Sequence, residues 1–140
     1  MARPYRLLIV DDSPSILLAL ADAFAGTPYA VTTCNNPVKA YETIENEHID
    51  IVISDIMMPE MDGLTLLRKI KNFNGLTQVI MITGYININN TLNAFRYGAN
   101  DIFFKPIEDT GEVIRAVDDA AAKLNRINTI LTQLSKKKRE

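Results

Sequence analysis

Three aspartates, a threonine and a lysine stand at the ends of short apolar runs. Asp11 and Asp12 follow Leu7-Leu8-Ile9-Val10, and Asp55 follows Ile49 to Ser54. Thr83 closes the run that begins at Gln78, and Lys105 follows Ile102-Phe103-Phe104. Carboxylates gathered in one place repel and raise one another's pKa. A hard divalent cation removes that penalty, and an all-oxygen ligand set with room for water suits Mg2+. A hydroxyl and an ammonium beside such an ion would hold the oxygens of a phosphoryl group. An aspartate can then act as the in-line nucleophile and carry the group as an acyl phosphate. Read singly, each aspartate is also an ordinary cap or turn residue. That reading accounts for one of them, but not for three at one sheet edge with a lysine opposite.

Positioning these groups falls to alternating apolar strands and helices. Strands are expected at Leu7–Val10, Tyr29–Cys34, Ile49–Ser54, Gln78–Thr83 and Ile102–Phe104. Helical spacing fills the intervals, with Ser13-Pro14 and Asn36-Pro37 as starts and Gly98 as a stop. In the second helix Val38, Tyr41 and Ile44 share a face; in the fourth, Leu92, Phe95 and Ala99 do. Five strand–helix units in strict alternation predict an α/β fold, a doubly wound (βα)5 parallel sheet covered on both faces. In a flavodoxin-like strand order, 2-1-3-4-5, the first and third strands are neighbours. The chemistry then collects outside the carboxyl ends of the strands, where such sheets bind ligands.

The chain of 140 residues is long enough for one domain with a full core and too short for two ordinary ones. Its net charge of −2 favours no nucleic-acid partner. Residues 1–111 carry a balance of −5 and residues 112–140 a balance of +3, most of it in Lys136-Lys137-Lys138-Arg139. A basic helix end is favourable to the helix dipole without any partner. The lone Cys34 fits a reducing compartment better than a catalytic thiol, since only His48 could act as its base. No run approaches the ~20 apolar residues that span a bilayer, and no leader is expected, so the reading is cytoplasmic.

At the strand ends the chain resembles the response-regulator receiver domain of two-component signalling. The matching pieces are Leu8-Ile9-Val10-Asp11-Asp12, Ile53-Ser54-Asp55-Ile56-Met57-Met58-Pro59, Met61-Asp62-Gly63, Ile82-Thr83-Gly84 and Lys105-Pro106. Each is weak alone; together, in order and each at a strand end, they are specific over about residues 5–120. The resemblance implies that Asp55 accepts a phosphoryl group from a histidine kinase or a histidine phosphotransfer protein. It implies that Asp12, Asp55 and the Met57 backbone carbonyl ligate Mg2+, that Asp11 acts through water, and that Thr83 and Lys105 contact the phosphoryl oxygens. Lys105-Pro106 is similar to the family's cis peptide. Pro59 and Gly63 would shape the loop behind Asp55. The domain would be a signalling switch and not an enzyme.

Two positions depart from the family pattern. Three residues before Lys105, where an aromatic switch residue is usual, stands Ile102; strand alternation sends Phe103 to the opposite face. Met57 is apolar where an acid or amide would position a hydrolytic water, and Tyr85 is expected to be exposed on the loop after Thr83. Both are expected to slow loss of the phosphoryl group. Met57 also argues against a haloacid-dehalogenase-like phosphatase, which needs a second aspartate there. Asp11-Asp12-Ser13-Pro14 is unlike a phosphate-cradling loop of a nucleotide or flavin binder. The alternative that stays open is a receiver-like interaction module that signals without phosphate, against which the full set of five site residues argues.

Residues 1–122 are read as the receiver domain and 123–140 as a helical extension. Val113, Val117, Ala120, Leu124, Ile127, Leu131 and Leu134 recur at alternating spacings of four and three, a heptad seam. From Leu124 onward no globular surface is expected for it to cover. That points to a homodimer through this helix, or to a linker toward a fused output domain or a separate effector protein. The remaining residues are too few for an output domain.

Overall fold

The computed structural model describes residues 3–139. Five strands form one parallel sheet: β1 Arg6–Val10, β2 Ala30–Cys34, β3 Ile51–Asp55, β4 Gln78–Thr83 and β5 Asp101–Phe104. Their order is β2-β1-β3-β4-β5, as expected. Helices α1 Pro14–Ala23, α2 Pro37–Asn46, α3 Gly63–Phe73, α4 Ile88–Arg96 and α5 Thr110–Arg139 connect or follow them. β1, β3 and β4 are buried along almost their whole length, which explains their unbroken apolar runs. β2 lies at the sheet edge, and Ala30, Thr32 and Thr33 are exposed while Val31 and Cys34 are half-buried.

The pleat divides the core in two. Leu8, Val10, Val52, Val79 and Met81 pack on one face with residues of α2, α3 and α4. Leu7, Ile9, Ile51, Ile53, Ile80 and Ile82 pack on the other with α1 and α5. Asn36, Asp62 and Asn87 cap α2, α3 and α4, their side chains accepting from backbone N–H groups of the first turn. Ser13 sits at the start of α1 but makes no such bond; its hydroxyl lies 3.0 Å from that of Ser15 instead. After α4, Gly98 takes φ 104°, a left-handed stop that suits glycine.

Three packing expectations are corrected. On α4, Leu92 and Phe95 are exposed, while Ala94 and the following Ala99 are buried. The stripe Ile88, Leu92 and Phe95 lies about a third of a turn from Ala94, and the short alanine lets α4 sit close on the sheet. On α2, Ala40 and Ile44 are buried and Val38 is largely exposed. On α5, Leu124 is buried in the core, so the domain surface reaches one turn further along the helix than expected. Beyond it Ile130, Leu131 and Leu134 are exposed. α5 is rooted by two phenols at the amino edge of the sheet: Tyr5 donates to Asn125 and Tyr29 to Asp118. Burial, then the Asp118 carboxylate, pushes the Tyr29 pKa well above its ordinary value, so this donor keeps its proton.

At the same edge Asp50 is buried among donors. Arg3 reaches it with two nitrogens at 3.0 and 3.1 Å, the Arg6 N–H donates at 2.8 Å, and His48 Nε2 lies at 2.9 Å. Burial alone would raise its pKa, but these partners outweigh it and hold the carboxylate below the ordinary value of 3.8. A depressed folded-state pKa stabilises the fold above the unfolded value and ceases to do so as pH falls through the folded one. Asp50→Asn is therefore expected to lose about 1–3 kcal/mol at neutral pH. In urea titrations the gap from wild type should narrow below about pH 3.8; a gap of constant width would contradict this account.

Candidate functional site

Register brings the polar strand ends together. Val10 is paired with Ser54, so the next residues, Asp11 and Asp55, lie side by side; Asp55 is paired with Ile82, and Thr83 with Phe104. Asp11, Asp12 and Asp55 each offer an oxygen within 4.8 Å of the others. Asp11 and Asp55 are buried and Asp12 is exposed. Lys105 Nζ lies 2.8 Å from Asp11 Oδ2 and 3.0 Å from Asp55 Oδ2. It donates an aligned hydrogen bond to Asp55. Asp11 Oδ2, despite the close ion pair, has no aligned hydrogen-bond donor.

Electrostatics follows from this geometry. Burial raises the Asp11 pKa; Lys105 and the Ser13 N–H, which donates to Asp11 Oδ1 at 2.8 Å, oppose the shift, and the charge of Asp55 adds to it. For Lys105, burial disfavours the charge, but Asp11 and Asp55 outweigh it and raise the pKa. The ammonium thus serves as a built-in counter-ion for two buried carboxylates. A buried carboxylate oxygen without an aligned donor, beside two further carboxylates, is a donor set that fits a hard, oxygen-seeking cation.

The remaining expected residues lie at the ends of β3, β4 and β5, on the loops that follow them, or on β5 itself. Met57 is 53% exposed and its backbone N–H donates to Asp55 Oδ1 at 3.3 Å. Thr83 is buried beside β5, yet its hydroxyl is engaged with its own loop: it donates to the Tyr85 carbonyl at 3.3 Å and accepts from the Tyr85 N–H at 3.1 Å. Tyr85 is 55% exposed, and Ile86 beside it is exposed too. Ile102 packs, half-buried, on the α4 face of the sheet, and Phe103 on the opposite face. The Lys105–Pro106 peptide is cis.

Two further residues shape the loop behind Asp55: Gly63, expected there, and Glu60, which residue type did not reveal. Gly63 packs against the backbone at the end of β3: its N–H donates to the Ile56 carbonyl at 2.7 Å, and a Cβ there would lie 2.0 Å from the Asp55 carbonyl oxygen. Glu60, at φ 70°, accepts from the Asn36 side chain and ties the loop after Asp55 to the start of α2. A groove of about 880 Å³ lies at the opposite sheet edge between α5 and the start of β1. The carboxylate that lines it, Asp50, is already satisfied, so the volume there does not mark the chemistry.

No described helix is long and apolar enough to cross a membrane. The response regulator receiver domain model matches residues 7–118. The transcriptional regulatory protein ZraR of Klebsiella oxytoca is 35% identical over 102 residues, covering 73% of this chain and 23% of that protein. The DNA-binding transcriptional regulator NtrC of Escherichia coli K12 is 36% identical over 112 residues, covering 80% of this chain and 24% of that protein. The chain thus spans about a quarter of the length of these relatives. Among solved structures, the signal receiver domain of an HD domain-containing protein from Pseudomonas fluorescens Pf-5 superposes with TM-score 0.84 at 27% identity, covering 89% of this chain and 99% of that one. A CheY-like receiver domain protein from Methanospirillum hungatei JF-1 gives 0.83 at 26%, covering 88% and 98%. The beryllofluoride-activated NtrC4 receiver domain, solved as a dimer, gives 0.80 at 25%, covering 85% and 98%. With the strand order and the strand-end acidic cluster already in place, these matches identify the chain as a member of the response regulator receiver domain family.

Proposed function

We propose that Asp55 accepts a phosphoryl group from a histidine kinase or a histidine phosphotransfer protein, in a reaction that requires Mg2+. The observation that carries this reading is Lys105 bridging Asp11 and Asp55 beside a third carboxylate, Asp12. Asp11, Asp12, Asp55 and the Met57 carbonyl are the groups that would hold the ion, which neutralises charge on the incoming phosphoryl group. The chain's own part is electrostatic and positional. Lys105, charged at neutral pH, faces one phosphoryl oxygen, and the Thr83 hydroxyl serves another once it leaves the Tyr85 backbone. Ile102 has neither ring nor hydroxyl to follow Thr83, so packing must carry the signal to the partner surface.

The downstream partner is an effector protein or an output domain joined beyond α5. The exposed aliphatics Ile130, Leu131 and Leu134 support pairing of α5 with that of a second copy.

Intact mass after incubation with acetyl phosphate and Mg2+ tests the central claim. Wild type is expected to gain the mass of one phosphoryl group, and Asp55→Asn, or wild type in chelator, to gain none. An unmodified wild type would favour the interaction module. Met57, whose N–H touches Asp55, and Tyr85, on the loop after Thr83, are both exposed and are expected to shield the acyl phosphate. Met57→Ala and Tyr85→Ala should then lose the group faster in a time course, and unchanged lifetimes in both would remove the shield from the account.

A further inference from the structure

Met57 differs from the other methionines of the described chain. Met81 is fully buried in the sheet, Met58 is buried, and Met61 packs half-buried on the core, whereas Met57 is 53% exposed. Its backbone N–H touches the Asp55 carboxylate, which fixes the side chain's root one residue's reach from the phosphoacceptor. Thioether oxidation follows exposure and turns an apolar side chain into a polar one with a strong acceptor oxygen.

We infer that Met57 is an oxidation site through which a peroxide-class oxidant shortens the lifetime of the phosphoryl group; the inference rests on the phosphoacceptor reading of Asp55. The peroxide O–O bond breaks and one oxygen bonds to Met57 Sδ, which loses two electrons. The peroxide is reduced and leaves as water. The thioether sulfur is only a weak hydrogen-bond acceptor. The sulfoxide oxygen accepts a hydrogen bond and orders a water at the acyl phosphate, as an amide at this position would. No base is created, so the effect stays well below the roughly 10²–10⁴ of a dedicated general base.

The experiment uses the full chain carrying Cys34→Ser, so that the thiol does not compete. Protein treated with dilute hydrogen peroxide is phosphorylated with acetyl phosphate and Mg2+, and loss of the group is followed by intact mass. Peptide mapping is expected to find Met57 oxidised before Met58, Met61 and Met81, and the lifetime to fall by about threefold or more. Methionine sulfoxide reductases should restore it. Met57→Leu should lose the response to peroxide, whatever its own lifetime. Met57→Gln, a stable polar mimic, should show the short lifetime without oxidant. An oxidised Met57 with unchanged lifetime overturns the inference, as does Met58, Met61 or Met81 oxidised ahead of it or an equal response in Met57→Leu. Failure to take up a phosphoryl group before any peroxide overturns the phosphoacceptor reading itself, and this inference with it.

Discussion

Gly63→Ala is expected to cost about 3 kcal/mol or more of stability and to slow phosphoryl uptake at Asp55. The added Cβ would stand 2.0 Å from the Asp55 carbonyl oxygen and 2.7 Å from the Ile56 Cα. Both are backbone atoms, one in β3 and one just after it, so no side-chain rotation relieves the contact. Either the start of α3 lifts from the sheet or the end of β3 shifts. Overpacking of this kind costs about 1–3 kcal/mol and occasionally more, and here the 2.7 Å hydrogen bond from the Gly63 N–H to the Ile56 carbonyl is lost as well. Any movement of β3 displaces Asp55 from Lys105 and Asp11. Urea denaturation and the acetyl-phosphate rate, measured on the same preparation, check both halves. Wild-type stability in Gly63→Ala would refute the packing argument.

Lys105→Met is the second large effect. Asp11 and Asp55 are almost fully buried, and Lys105 is the cation between them. Removing one partner of a buried ion pair leaves uncompensated charge, at a cost of about 3–5 kcal/mol. The loss should depend on pH. Burial already raises Asp11, and without the ammonium that carboxyl group favours its protonated form more strongly. A carboxyl group with a raised folded-state pKa destabilises the fold as pH rises from its unfolded value through the folded one. The deficit of Lys105→Met in chelator should therefore be small in acid, widen above the ordinary carboxylate value of 3.8 and level off in base. Mg2+ is expected to recover part of it, because the ion replaces the missing charge. A deficit independent of both pH and Mg2+ would mean that the lysine acts through its aliphatic packing instead.

The sequence carried the architecture because β1, β3 and β4 are buried on both faces and so are written as unbroken apolar runs. The site was legible for a related reason: its polar groups terminate those runs, and parallel pairing in the observed order sets Asp11 beside Asp55. What stayed hidden depends on distances that periodicity does not encode. Leu92 and Phe95 are apolar at helical spacing, yet the helix axis is set by Ala94, and the larger side chains face outward. Leu124 reads like the exposed seam residues after it, but the sheet edge ends just beyond it. The direction of the Thr83 hydroxyl is a rotamer choice decided by the Tyr85 backbone, and no spacing rule predicts it.

The two phenols that hold α5 give its free end a mechanical meaning. Asn125, where Tyr5 holds the helix, is next to the last core residue, Leu124. From there to Arg139 the helix runs about 22 Å. A lever of that length converts a tilt of about 10° at its fulcrum into a displacement of about 4 Å at its tip. Repacking too slight to alter the sheet would then be largest at Lys136–Arg139, as travel of the helix tip.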